Sequence, residues 1–402
     1  MVYFNNGNPC VHIWSIALLL LKYNARETKN QENLTIFFVA PRESELSTFK
    51  NRVGEHSKII LEDVKMRKTR LASLGKQMLS SKQTIRAIAS AAVALIVGIN
   101  SALAGDPFRT RNPQAIGLYT ETAFKTMFQE GNYKQAKAQV QQALSSEPNE
   151  PLAYAMAASL SYIEQDLNSM NSYATKTREV AEKLTPTNPL RGNIYTAAGH
   201  FLEGAHAIAK EGTAKGAPAA LNKLRSVFQY LDAAEKIDAN DPELNLLKGY
   251  MDLMLASNLP FSNPSEAIKR LEEKAFPRYL AYRGMAVGYR DLKKYDRALE
   301  FADKALAETP TNPEIHYLKA QILFAQSKNQ PNSKTLLEEA RKNFDAALAK
   351  PDQLPRSLVA EIFFQQCRTR IRLDSKPRDC DPMRDKIRDA GGIWGPTALP
   401  PL

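Results

Sequence analysis

From Gly105 onward, apolar residues fall in blocks of helical spacing, and the blocks are separated by polar segments built on proline with Asn or Asp. The chain reads TPTNP at Thr185–Pro189 and again at Thr309–Pro313, with EPNEP at Glu147–Pro151 and ANDPE at Ala239–Glu243. The second prolines stand at 151, 189, 242 and 313, and the longest interval holds a further boundary near Pro277. Recurrence on this scale marks stacked supersecondary units, each too small to bury its own apolar face. Proline lacks an amide donor and cannot continue an α-helix, and an adjoining Asn or Asp favours a turn. Each motif therefore reads as the end of one helix pair and the turn into the next. Leu354–Leu373 adds one more amphipathic helix, apolar at Leu358, Ile362 and Phe363, with Arg368, Arg370 and Arg372 near its end.

Inside the units, particular residue types return at fixed offsets. Tyr279–Asn312 carries Tyr282, Ala286, Tyr289, Tyr295, Ala298, Ala305 and Pro310. Gly117–Glu150 carries Gly131, Tyr133, Ala136, Ala143 and Pro148, and the unit from Pro313 carries Ala320, Ala340, Phe344 and Ala347 around an insertion near Lys328–Thr335. This pattern resembles the tetratricopeptide repeat, a helix–turn–helix unit of about 34 residues. Small residues stand where two helices approach closely, and large apolar ones fill the holes beside them. Pro151–Asn188, Pro189–Asp241 and Pro242–Arg278 diverge, with stretched helices or loops. The resemblance implies an all-α fold, a right-handed α-solenoid of about six helix pairs over residues 105–353. Residues 354–402 are then a capping helix and an irregular tail.

The resemblance also implies where a partner sits. Tetratricopeptide arrays use a concave face lined by the first helix of each pair. Carried onto this chain, that face comprises Lys125 and Phe128, then Leu246, Tyr250 and Leu253, then Arg283, Val287 and Arg290, then Tyr317, Gln321 and Phe324. Aromatic residues and Arg are the types interface hot spots favour. The competing reading of each aromatic is packing between units. The family's carboxylate clamp does not transfer, because Glu121 and Lys125 occupy positions where it needs Lys and Asn. The implied partner is a protein or peptide docking on a preformed surface.

Ahead of the repeats lies an export pattern. Lys82 and Arg86 precede an uncharged apolar run, Ala87–Ile99, followed by Ala102-Leu103-Ala104. This order reads as a signal peptide at 78–104, cleaved between Ala104 and Gly105. The run is short of the roughly 20 residues a membrane-spanning helix needs. Gly105, not a cysteine, stands directly after the cleavage point, so a lipoprotein is not expected, nor is a stable membrane span after processing. Residues 1–77 read as an overlong reading frame or an N-terminal extension, since Ile13–Leu21 is too short to span and lacks a basic flank before it. The expected compartment is the periplasm, or the thylakoid lumen in a cyanobacterial cell.

Charge follows the same division. The 402 residues carry a formal +11, but residues 1–104 hold 14 basic and 7 acidic side chains, leaving 40 and 36 in the rest. Those remaining charges alternate in sign, as in KRLEEK at 269–274, which is the look of a solvated helix face. Nucleic acid is not an expected partner.

Candidate chemistry is sparse. Three cysteines exclude a disulfide-dense scaffold, and Cys367 and Cys380 remain after export as a bridge or as two separate thiols. A bridge would close a 14-residue loop and restrict the unfolded chain by about 3 kcal/mol. His200, Glu203 and His206 form the one cluster of metal-ligand composition. Their offsets turn the two histidines about 120° apart on a helix, whereas a helical zinc pair wants i and i+4. No metal or cofactor is expected, and no phosphate loop, GxSxG elbow or CxxC motif is present. The reading is a non-enzymatic scaffold. The alternative is an envelope enzyme or small-molecule or metal binder using residues 200–221, and a third reading is a self-assembling homo-oligomer.

Overall fold

The computed structural model describes residues 105–258, 264–328, 330 and 333–402. Residues 1–77 and the leader at 78–104, with Ala104, lie outside the described residues, and Gly105 is the first of them.

Thirteen α-helices make up the regular structure there, with no strand beyond an isolated bridge between Pro355 and Trp394. They pack mainly in chain order. α1 (Leu118–Phe124) runs into a π-helical turn (Lys125–Gln129) and pairs with α2 (Tyr133–Ser146). α3 (Pro151–Ile163) pairs with α4 (Leu167–Leu184), which packs on the long α5 (Pro189–Ile237). α6 (Pro242–Asn258) pairs with α7 (Pro264–Lys274), and α8 (Arg278–Asp291) with α9 (Tyr295–Glu308). α10 (Pro313–Ser327) pairs with α11 (Lys334–Ala347), and α12 (Arg356–Asp374) with α13 (Cys380–Asp389).

The recurring motifs place these boundaries. The second proline of each one opens the next helix, at Pro151, Pro189, Pro242 and Pro313. Its missing N–H costs nothing there, because first-turn amides have no intrahelical partner. The residue before it caps the helix. Glu150 accepts from the Leu152 amide at 3.0 Å, Asn188 from Arg191 at 3.2 Å, Asp241 from Leu244 at 2.9 Å and Asn312 from Glu314 at 2.9 Å. So these prolines act chiefly as helix starters, while Pro148 and Pro310 fall in the connecting turns. Ala136, Ala298 and Ala340, read as close-approach positions, are fully buried.

α5 is a helical hairpin rather than one rod. Gly212 breaks it with φ 76°, a left-handed conformation open to glycine at no steric cost. The arms 189–211 and 213–237 then fold back so closely that a Cβ on Gly216 would lie 2.5 Å from the Ala207 carbonyl oxygen. Six helix pairs thus precede α12 among the described residues.

Two further features depart from a simple row. The first described residues turn inward: Asp106, Phe108 and Arg109 are buried against α6 and its neighbours. The α1–α2 connection also meets the start of α10, where Asn312 Nδ2 donates to the carbonyls of Phe128 and Gln129, each at 3.0 Å. Beside it, the Tyr133 hydroxyl donates to Glu314, and a Cβ on Gly131 (φ 69°) would come within 2.7 Å of Pro313.

The C-terminal region differs from the irregular tail expected of it. Leu358, Ile362 and Phe363 bury the inner face of α12 as expected, but α13 forms beyond it and the chain end docks back. Arg356 N donates to the Ile393 carbonyl at 2.8 Å and Gly395 N to that of Leu354 at 2.9 Å. Leu402 packs against the Phe364–Cys367–Cys380 cluster. No helix among the described residues is long and apolar enough to cross a membrane.

Candidate functional site

The face expected to meet a partner divides into a closed part and an open part. Phe128, Leu246, Tyr250, Leu253, Arg283 and Tyr317 are all buried, none more than 8% exposed. These positions therefore serve the interior rather than a free groove. Phe108 and Phe124 meet edge to face with 4.8 Å between centroids and, with Phe128, Leu246 and Tyr250, line a cavity of about 60 Å³. That is room for a few atoms, well below the several hundred Å³ of a ligand pocket.

Buried charges flank this cavity. Arg109 donates to Asp106 at 2.8 Å, to Asp241 at 2.7 Å and to Glu243 at 2.9 Å. Arg191 takes Glu150 in a two-pronged pair at 2.7 and 3.2 Å, and Tyr195 donates to Glu243. Arg283 donates to Glu314 at 3.0 Å. Burial raises the Asp241 and Glu314 carboxyls even though Arg109 and Arg283 oppose it. Glu243 and Glu314 both follow the helix-opening proline, so the same step of the repeat supplies both buried carboxylates. These pairs link helices across the interior, although Nε of Arg191 and of Arg283 is buried with no hydrogen-bond partner. Arg283 belongs to one of them and is not a surface cation.

The open part lies at the C-terminal ends of α8, α10 and α12. Val287, Arg290, Gln321 and Phe324 are half-buried and remain accessible. Arg290 donates to Gln321 Oε1 at 3.0 Å, and Gln321 Nε2 lies 3.4 Å from Gln365 Oε1 on α12. Lys125 is exposed but on α1's side of the fold, paired with Glu121.

Beyond Gln321 the strip opens into a pocket of about 380 Å³ lined by Phe324, Lys328, Arg368, Ile371 and Arg372. Lys328 Nζ and the Arg372 guanidinium lie 5.0 and 5.1 Å from the centre of the Phe324 ring. Arg372 also donates to the Ser327 hydroxyl at 3.0 Å and reaches the Ser327 carbonyl at 3.4 Å, capping α10. Arg368 is exposed and rests over Phe364 at 5.5 Å. Among the described residues no carboxylate forms an ion pair with Lys328, Arg368 or Arg372. Desolvation, with the nearby Arg368 and Arg372 charges, pushes the Lys328 ammonium below its usual range. The arginine triplet was visible in sequence as alternate residues pointing apart. Arg368 and Arg372, however, are i and i+4 on one face, and Lys328 joins them only through the packing of α10 on α12.

Of the remaining candidates, His200 and Glu203 are engaged with one another and with nearby cations. His200 Nδ1 lies 3.2 Å from Glu203, which also takes Lys223 and, at 2.9 Å, Arg178. Burial opposes the Glu203 charge, but these partners outweigh it and hold the carboxyl at about 2. Burial also lowers the His206 imidazole, helped by Lys210. Among the described residues no group of three His, Cys, Asp or Glu side chains is placed to hold a metal ion. Cys367 and Cys380 stand at disulfide distance, with Cα atoms 5.8 Å apart, and tie α12 to the start of α13.

Compared with known proteins, the chain matches no protein-family model and no curated protein.

Proposed function

We propose that this protein is a non-enzymatic interaction scaffold of the tetratricopeptide kind, exported after removal of its leader, that holds a segment of a partner protein on the strip formed by α8, α10 and α12. The observation that carries the reading is the division of the expected groove. Its deep positions are consumed by the protein's own core, while Val287, Arg290, Gln321 and Phe324 stay accessible in one line and lead into a pocket. Side-chain amides and a guanidinium along an apolar floor suit an extended backbone with intermittent apolar side chains. Because helix packing fixes the strip beforehand, little ordering entropy opposes docking. The buried carboxylates have arginine partners, and Glu243, which lines a cavity too small for substrate, is held by Arg109, so they support structural rather than catalytic roles.

Site-specific photo-cross-linking tests the reading. A photoreactive residue at Gln321 or Phe324 should give a discrete partner adduct in the native compartment, while one at Asp303, exposed on α9, should not. Equal adducts at all three positions, or none at the first two, would refute it. N-terminal sequencing of the native protein tests export, with Gly105 as the expected first residue.

A further inference from the structure

We infer that the pocket between α10 and α12 receives an acidic segment of a protein partner, its carboxylates on Lys328, Arg368 and Arg372 and an adjoining apolar side chain on Phe324 and Ile371. The inference rests on the reading that this face binds a protein.

Three cations converge on one cavity, and among the described residues none of them forms an ion pair with a carboxylate. Gathering like charges raises the free energy of the empty site, and a bound anion removes that repulsion. Part of the convergence is accounted for within the fold: Lys328 follows the last residue of α10, and Arg372 donates to Ser327 there. Cations are favourable at helix C-termini. Arg368 has no such task. It stands one turn before Arg372, exposed, with the face of Phe364 as its contact. Its guanidinium keeps a fork of N–H donors matched to a carboxylate.

Size and surroundings select the occupant. The cavity of about 380 Å³ equals the liquid volume of roughly a dozen waters, more than one oxyanion fills. Its floor is aromatic and aliphatic, so the occupant needs apolar as well as anionic groups. The pocket continues directly from Gln321 and Arg290, hydrogen-bonding side chains that an extended chain can follow inward. An acidic peptide with an interspersed aromatic meets all three conditions.

The test uses the purified full chain and two fluorescein-labelled pentapeptides, EEFEE and its neutral counterpart QQFQQ, read by fluorescence anisotropy. EEFEE should bind about tenfold or more tightly than QQFQQ, a difference of about 1.4 kcal/mol. Its binding should collapse between about 0.01 M and about 1 M salt, where the screening length falls from about 30 to about 3 Å. Arg368→Gln and Lys328→Gln should each weaken EEFEE severalfold and leave QQFQQ unchanged. Arg368 is exposed, so its variant should melt like the parent protein and isolate the charge effect. Equal affinity for the two peptides, or indifference to both substitutions, would overturn the inference. So would binding of pyrophosphate with no binding of EEFEE, which would mark a small-anion site. If those peptide results fail while cross-linking at Gln321 still captures a partner, the pocket assignment alone falls. If the cross-links vanish as well, the reading of the face falls with it.

Discussion

Asn312 joins two parts of the chain 184 residues apart, and its replacement shows how much that junction contributes. Its side chain is 2% exposed and does two jobs at once. Oδ1 caps α10 by accepting from the amides of Glu314 and Ile315 at 2.9 and 3.4 Å, while Nδ2 donates to the carbonyls of Phe128 and Gln129. Asn312→Ala removes both. Loss of a cap costs about 1 kcal/mol, and leaving buried carbonyl oxygens without their donor costs about 1–3 kcal/mol more. The expected loss is therefore about 2–4 kcal/mol, or several degrees in Tm. Asn312→Ser keeps a capping oxygen but cannot reach as a donor to both carbonyls, so it should recover about 1 kcal/mol of the loss. Urea unfolding followed by circular dichroism gives the magnitudes. Hydrogen exchange gives the location: protection should fall both at 313–316 and at 128–134. A loss under about 0.5 kcal/mol, or deprotection confined to α10, would refute the argument that this residue ties the two regions together.

Three other outcomes follow from the buried charges and the bridge. Glu314→Gln leaves the buried Arg283 without its carboxylate and should cost about 3–5 kcal/mol, more than the paired change Arg283→Met with Glu314→Leu; equal losses in urea unfolding would contradict this. Glu203 has a folded pKa of about 2 against an ordinary 4.5, so its stabilisation is complete above 4.5 and disappears as pH falls through 2. The Tm difference between the parent protein and Glu203→Gln should accordingly shrink as pH falls from 7 toward 2. Cys367→Ser with Cys380→Ser should cost about 3 kcal/mol and raise exchange in α13 and the tail, leaving α3 and α4 protected; unchanged exchange in α13 would contradict it.

Local patterns carried the helix pairs. Each proline–Asx motif contains both its capping group and its N1 proline, so Asn188–Pro189 and Asn312–Pro313 announce a helix start without reference to the rest of the chain. The alanines at 136, 298 and 340 likewise report a close helix contact through size alone. Depth was a different matter. Tyr250 and Gln321 occupy equivalent faces of α6 and α10, yet one is buried and the other half-open. The difference comes from Phe108, Arg109 and the α1–α2 connection, which close over the earlier helices. Contacts between residues more than 130 positions apart leave no periodic trace. One signal was present: a Pro-Glu step occurs at both 242–243 and 313–314, and each Glu became the buried partner of an arginine from elsewhere. Lys328 had no signal of its own, because an isolated lysine acquires a role only when another helix brings arginines beside it.

The contact between residues 128–134 and 312–314 changes how this molecule must assemble. In an open row, each pair answers only to its neighbours, stability is additive along the chain, and end units can be trimmed one at a time. Here the first pair also holds the sixth, so removing either end leaves the buried Asn312 and Tyr133 hydrogen bonds of the other without partners. Loop closure over some 180 residues has to be achieved before that contact rewards it. A chain emerging N-terminus first during synthesis would hold α1 and α2 incomplete until α10 had followed, and that interval is when the unfinished face is open to binding proteins, chaperones or other copies of itself.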